Sequence, residues 1–527
     1  MSALTGTGTL VRFFLRRDRF RLAAWITGGV ALYVLTAVGV AEIYSTQAEF
    51  DAAAATMASN SAFIALAGPA RVLNTVGGQV AWQAGVFGQV LAALMSMFLT
   101  GRHTRAEEES GRDELVRSNV VGRHAPLAAA IIVVTFANCA LGAGISVGLI
   151  WYGLAAAGSI ALGLAATCSG LVFLGVALLA AQLTENTRTM YGITGAAIGV
   201  SYVLRAMGDI GNGVLSWLSP LGWGQAMRAY DGEIWWPAAL SAGVAVACTA
   251  IAFRIINNRD IGAGVMTTRA GPARAGTTLH SANGLAWRLQ RGSLIGWSTG
   301  LFLTGLAYGS AGGDVRAVIG DSGISAVFVQ GGGDLTDSFY ATTALMMGLI
   351  ASAFAISSAS RLRAEEEAGR VENMLSTKLT RNRWVSSHVL MMLLGSALVL
   401  GVGGIGTGIS YAAVSHDAVQ IARIFGSAMV YLPAVWILGA VALALFGFVP
   451  RMTSAAWLAL VYCVIIMLFG VTFRFPSWLM NVSPFVHLPL VPAADFDVVP
   501  VIITTVVALV GCAFGVFGFR RRDLQTT

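Results

Sequence analysis

Charge is what this 527-residue chain has least of: Asp, Glu, Lys and Arg together make 11% of it, where soluble proteins carry about a quarter. An ordinary soluble domain is thereby excluded. The chain has a single lysine, Lys378, and Leu379 follows it. A phosphate-binding loop needs Lys followed by Ser or Thr, so the chain cannot itself be a Walker-type ATPase. It also lacks an H-E-x-x-H pair and a G-x-S-x-G elbow, which removes the commonest metalloprotease and serine-hydrolase chemistries. Five cysteines (Cys139, Cys168, Cys248, Cys463, Cys512) lie in apolar runs without metal-type spacing, and read as small packing residues. The histidines, His103, His124, His280, His388, His416 and His487, are scattered. No catalytic constellation and no metal site can be assembled from these residues.

What is abundant is hydrocarbon. Hydrophobic residues make 56% of the chain and the mean hydropathy is +0.72. The apolar residues fall in Leu/Ala/Val/Gly-rich runs near or above the 18 to 20 that cross about 30 Å as a helix, without the alternation of barrel strands. The reading is an all-α integral membrane protein. Spans are expected at 22–43, 84–102, 125–152, 156–184, 189–206 and 235–254, and again at 292–310, 339–360, 386–411, 420–447, 453–473 and 499–519. Ahead of the first, residues 10–21 carry Arg12, Arg16, Arg17, Arg19 and Arg21 among Phe13, Phe14, Leu15 and Phe20, the pattern of a basic amphipathic helix at a membrane surface. The first span is too long for a signal-peptide core and is expected to be retained. A loop runs from 44 to 83, and 255–290 is a polar, Gly/Ala/Thr-rich linker.

The charges that do occur are concentrated. Arg105-Ala106-Glu107-Glu108-Glu109-Ser110-Gly111-Arg112-Asp113-Glu114 returns 258 residues later as Arg363-Ala364-Glu365-Glu366-Glu367-Ala368-Gly369-Arg370-Val371-Glu372, identical in eight of ten columns. This is an internal duplication. A continuous helix pairs opposite charges four apart, Arg105 with Glu109, Glu108 with Arg112, Arg363 with Glu367 and Glu366 with Arg370. Two solvated helices are therefore expected, at 105–117 and 363–376. Other repeats agree: Trp25 matches Trp297, Ser219-Pro220 matches Ser483-Pro484, and Arg259-Asp260 matches Arg522-Asp523. The expected organisation is a first six-helix half (1–254), the linker (255–290) and a second six-helix half (291–527). Six being even, both halves start on one side and a pseudo-two-fold axis runs along the membrane normal.

With both termini inside, 27 of the 33 Arg and Lys lie inside; only Arg71, Arg205, Arg228, Arg316, Arg423 and Arg474 are outside or near the outer ends. Such a bias orients membrane proteins with the basic side in the cytoplasm. Both acidic segments then face the cytoplasm.

Ionisable groups at membrane depth, which proton-driven carriers use, are almost absent from the middle of the spans. Polar residues there include Gln89, Thr135, Asn138 and Gln182. Gln89, Asn138 and Gln182 are candidates for a substrate path, against the alternative of interhelical hydrogen bonds worth about 0.6 to 2 kcal/mol. The segments 217–224 and 478–489 are apolar but broken by Pro and Gly, and are read as short re-entrant or interfacial helices, with an aromatic interfacial belt as the alternative.

A cytoplasmic Glu-x-Gly-x-x-Glu segment between the second and third spans, here Glu109-Gly111-Glu114 and Glu367-Gly369-Glu372, resembles the coupling segment of ABC-2 type exporter permeases. The basic segment before span one, the broken hairpin before span six and the Arg-Asp pair after it are similar to the same family. With two six-span units fused, the whole chain resembles the actinobacterial exporters of polyketide antibiotics, the tetronasin-resistance type. The resemblance implies a plasma-membrane permease without a cofactor of its own, energised by a separate ATP-binding-cassette subunit, two copies of it, which hold ATP and Mg. It implies that Arg105, Glu107, Glu108, Glu109, Gly111, Arg112 and Glu114, with Arg363, Glu365, Glu366, Glu367, Gly369, Arg370 and Glu372, form two ATPase-coupling helices. The implied cargo is a hydrophobic or amphipathic small molecule such as a drug or antibiotic, with no role for nucleic acid. Export of an endogenous lipid or glycolipid, a proton-coupled carrier, a membrane enzyme acting on lipid and a non-transporting scaffold are the alternatives.

Overall fold

Without water to satisfy it, a lipid-embedded backbone must bond to itself, and in Ala/Leu/Val/Gly-rich runs the helix does this within one segment. A computed structural model of the chain describes residues 2–43, 46–48, 50–51, 54, 64, 67–118, 120–257, 264–265, 276–311, 335–469 and 475–524. Among these the secondary structure is helical, with no strand. The protein is an all-α membrane protein.

Two compact units are present, Met1–Gly271 and Pro272–Thr527. The first contains α1 (Thr7–Ile43), α2 (Val76–His103), α3 (Arg105–Glu109), α4 (Arg112–Arg117), α5 (Ala125–Trp151), α6 (Ala156–Leu183), α7 (Thr187–Ile210), α8 (Pro220–Ala226) and α9 (Trp236–Asn257). The second contains α10 (Ala282–Ala311), α11 (Leu335–Glu367), α12 (Arg370–Leu375), α13 (Arg381–Ser415), α14 (Val419–Met429), α15 (Leu432–Phe448), α16 (Ala456–Phe469), α17 (Ser477–Met480) and α18 (Val498–Arg521).

Among the described residues, ten helical segments are long and apolar enough to cross a membrane. The expected spans at 189–206 and 292–310 lie in α7 and α10, which are helices but are not among the ten. Arg188, Arg205 and Asp209 dilute the first, and Gly, Ser and Thr the second. The span expected at 420–447 is one of the ten, Val419–Phe448, built from two helices. Pro433 has no N–H to donate and its ring crowds the carbonyl four residues back, so the chain breaks at Val430–Tyr431 and restarts as α15.

The basic segment 10–21 does not form a separate surface helix: it is the first part of α1, which runs unbroken into span one. No proline interrupts it, and Leu10, Phe14, Asp18 and Leu22, spaced by four, are all buried on one face. Packing elsewhere relies on small residues, as expected where lipid removes the hydrophobic drive between helices. Where α5 crosses α6, a Cβ on Gly142 would lie 2.5 Å from the Gly163 carbonyl oxygen, and one on Gly163 would lie 2.3 Å from that of Gly142.

Most of the expected loop before residue 67 and the linker interior at 258–263 and 266–275, Arg259 and Asp260 included, lie outside the described residues, as do Arg316 and Arg474. Short helices stand where the broken segments were expected: a 3-10 turn at Leu215–Leu218 with α8, and α17 with a turn at Pro484–His487.

Candidate functional site

The acidic segments are not single helices. Gly111 has φ +70° and Gly369 φ +66°, a left-handed backbone that glycine adopts without the steric cost other residues meet. The first segment is thus split into α3 and α4, and the second into the end of α11 and α12. A Cβ at either glycine would meet nothing within 4 Å, so the requirement there is conformational. This break removes the helical register that put Glu108 beside Arg112 and Glu366 beside Arg370. Arg112 instead approaches Glu107, five residues back, at 3.9 Å, and Arg370 Nε lies 2.5 Å from Glu365. The same five-residue pairing across a left-handed glycine recurs in both units.

In the first unit, Arg105 is buried and its Nε donates to the Ala181 carbonyl at the end of α6, 2.5 Å away, while its Nη1 meets Glu108 at 2.7 Å. That pairing is three residues apart, in place of the expected Glu109. Glu107 takes Arg17 of α1 at 2.7 Å. Glu109 accepts from the backbone N–H and hydroxyl of Thr187, at 2.6 and 2.9 Å. A carboxylate there complements the positive end of α7. Next to this bracket, Asp18 is buried and accepts from Arg102 Nε at 2.9 and 3.0 Å. His103 Nε2 is 3.3 Å from the same carboxylate, and Phe14 stacks on the His103 ring.

In the second unit, Glu365 and Glu366 are each 1% exposed. Glu365 pairs with Arg361 at 2.8 Å and with Arg370. The hydrogen bond to Glu365 raises the Arg370 pKa above its ordinary value. Glu366 accepts both Nη1 and Nη2 of Arg522, just past α18, at 2.6 and 2.7 Å. The pairing expected between Arg363 and Glu367 forms, at 2.8 Å.

The residues assigned to the two segments therefore divide. Arg105, Glu107, Glu365 and Glu366 reach partners outside the segment and tie it to the spans, while Glu108 and Arg363 pair within the segment. Arg112, Glu114, Glu367, Arg370 and Glu372 are exposed, with Leu115 and Asn373 beside them. Glu109 is exposed although bound to Thr187. Missed from sequence were the anchoring partners Arg17, Asp18, Arg102, Thr187 and Arg361. Arg522 carried a signal, the repeated Arg-Asp pair, without an indication of its partner.

The three substrate-path candidates also separate. Asn138 is enclosed between α5, α2 and α6, donating to Ser96 Oγ at 2.8 Å and to the Val134 carbonyl at 2.9 Å; it is an interhelical bond. Gln182, buried at the end of α6, lines none of the described cavities. Gln89 lines a crevice of about 50 Å³ with Trp82, Arg71, Gln225 and Arg228. Arg71, Gln225 and Arg228 also line an adjoining cavity of about 320 Å³ that reaches Trp217 and Trp236. Among the described residues the buried carbonyl oxygens of Gln89 and Gln225 have no hydrogen-bond partner, as is also true of Asn138 and Gln182, but only the first two line a cavity. A polar donor brought by a ligand would satisfy them.

Residues 279–520 match the family defined by the C-terminal domain of the multidrug efflux system permease Rv1217c. Over 530 aligned positions the chain is 40% identical to the multidrug efflux system permease protein Rv1217c of Mycobacterium tuberculosis (strain ATCC 25618 / H37Rv), covering 99% of this chain and 96% of that protein.

Proposed function

This chain belongs to the Rv1217c family of ABC-2 type permeases, and from that premise we propose that it is the membrane subunit of an ATP-driven exporter of hydrophobic or amphipathic compounds. Nucleotide chemistry, with its ATP and Mg, resides in a separate ATP-binding-cassette subunit. Two copies of that subunit dock on one fused permease chain, one on each duplicated segment. Both termini and both segments face the cytoplasm, in keeping with the excess of arginine on that side.

The observation that carries this reading is the division of labour within each segment. A docking element has to present a face to its partner and transmit force to the spans. The exposed face is Glu109, Arg112, Glu114 and Leu115 in the first unit, and Glu367, Arg370, Glu372 and Asn373 in the second. The inward ties run from Glu107 to α1, from Arg105 to α6 and from Glu366 to the end of α18. The left-handed glycine is the corner between face and ties. Few fixed charges in the spans suit apolar cargo, because no buried ion is stranded when it passes. The Gln89 crevice is the part of the first unit suited to touch it.

The test is transport in inside-out vesicles containing the chain and its co-expressed ATPase, with a lipophilic cationic dye as cargo. Dye accumulates on ATP addition and continues to do so when an ionophore collapses the proton gradient. Accumulation driven by a pH step without ATP would instead assign a proton-coupled carrier.

A further inference from the structure

At the end of the second unit that carries its acidic segment, a cavity of about 830 Å³ opens beside α13. Its walls come from three pieces of chain: residues 280–283 at the start of α10, residues 377–379 just after α12, and the first turns of α13. Lys378, the lone lysine of the sequence, lines it together with Arg383 and His280, and Ser386 adds a hydroxyl, while that of Thr377 already donates to the Met374 carbonyl. No carboxylate is among the lining residues. This is unusual for a chain whose neighbouring segment pairs arginines and glutamates throughout. Neither Lys378 nor Arg383 makes an ion pair through its side chain among the described residues; the backbone N–H of Arg383 bonds to the capping Thr380. The N-terminal turn of α13 adds the positive end of a 35-residue helix.

We propose that this cavity binds the phosphate headgroup of an anionic phospholipid. The shared chemistry is a phosphate monoanion or dianion, which two cations and the Ser386 hydroxyl recognise well. What selects a lipid over a soluble phosphate is the apolar surface that leads away from the cavity. Leu390, at its rim, is followed by Leu394 and Leu398 at four-residue spacing, and all three are exposed on one face of α13. That stripe is the length and chemistry an acyl chain needs once its headgroup is held. Basic pockets at the cytoplasmic ends of transmembrane helices are a recognised way to hold anionic lipid heads. On the orientation proposed above, the inner leaflet supplies the lipid, and binding would sit one turn from α12, next to the second docking face.

The experiment is native mass spectrometry of the full chain titrated with phosphatidylglycerol or with phosphatidylcholine of the same acyl chains. The wild type retains phosphatidylglycerol in preference. Lys378→Gln/Arg383→Gln weakens that retention by on the order of fivefold per cation, roughly thirtyfold for the pair. Both residues are exposed and make no side-chain ion pair among the described residues, so the variant keeps its fold, checked by an unchanged melting temperature. Arg288→Gln/Arg291→Gln, which removes two exposed cations from α10 outside the cavity, leaves retention within about threefold of wild type, since no built pocket is lost. Equal loss in both variants, equal retention of the two lipids, or no loss on removing Lys378 and Arg383 overturns the proposal. Displacement by millimolar inorganic phosphate overturns the lipid as the source and assigns a soluble anion. Because the assay contains neither ATPase nor ATP, its result is independent of whether the chain is an ATP-driven exporter.

Discussion

Glu366 and Arg522 are bound through both carboxylate oxygens, at 2.6 and 2.7 Å, and the guanidinium also lies 4.9 Å from the Phe446 ring and 5.1 Å from that of Phe519. The end of α18 is thereby fastened to the corner of the second acidic segment. A buried pair of this kind is costly to break from one side, about 3–5 kcal/mol, because the remaining charge is left without its partner. Glu366→Ala and Arg522→Ala are each expected to lower the melting temperature by several degrees. The double variant should cost less than the sum of the two, and a double-mutant cycle in detergent measures that coupling. Additive losses would show that the pair carries no joint energy.

Gly111 and Gly369 make the corners. Substitution by Ala meets no neighbour, so the cost is that of a left-handed backbone alone, about 1–2 kcal/mol per site. Asn, which tolerates that conformation, should recover part of it. Melting curves of Gly369→Ala and Gly369→Asn read the order directly: alanine below asparagine below wild type. Alanine equal to wild type would mean the corner is not held in solution.

Gly142 and Gly163 behave differently, because here the neighbour is backbone. A side chain at either forces α5 from α6, where carbonyl oxygens stand 2.5 and 2.3 Å from the added Cβ. Gly163→Leu is expected to abolish monodisperse folded protein on size-exclusion chromatography. A Gly199→Leu control, where nothing lies within 4 Å, should run as wild type.

Asp18 and Gln290 occupy corresponding positions on α1 and α10, 272 residues apart like Trp25 and Trp297. Asp18 holds Arg102; Gln290 accepts from Ser358 Oγ at 2.6 Å and lies 3.3 Å from His388 Nδ1. Each is buried, and each replacement by a leucine leaves polar partners unsatisfied, about 1–3 kcal/mol for Gln290 and more for the charged Asp18. Chemical denaturation or thermal melting of Asp18→Leu and Gln290→Leu should rank Asp18 as the more destabilised.

The duplicated segments were legible because both copies kept their charges inside a chain that has few. Which carboxylates face inward was not legible, since the partner of Glu366 lies 156 residues away and no local pattern points to it. The two charge pairs expected to cross the glycines, Glu108 with Arg112 and Glu366 with Arg370, assumed one helix, and the left-handed glycines replaced them with pairs five apart, whereas Arg363 and Glu367, on one side of the bend, pair as expected. Gln89 and Asn138 look alike in sequence, each a lone amide in an apolar run. The Asn138 amide nitrogen donates to Ser96 across the helix interface, while Gln89 lines an open crevice near Gln225, and both settings come from tertiary packing. The arginines at 10–21 suggested a surface helix; the four-residue spacing of Leu10, Phe14, Asp18 and Leu22 shows why they continue span one instead.

The most direct test of the account is co-purification of the ATPase subunit with two sets of variants, followed by ATP hydrolysis in nanodiscs. One set reverses the exposed face, Glu114→Arg/Leu115→Asp with Glu367→Arg/Glu372→Arg. The other loosens the inward ties, Glu107→Gln with Glu366→Gln. The account predicts that the first set loses the ATPase, whereas the second retains it and hydrolyses ATP without moving dye. Retention of the ATPase by the exposed-face variants would contradict the assignment of these segments as its docking sites.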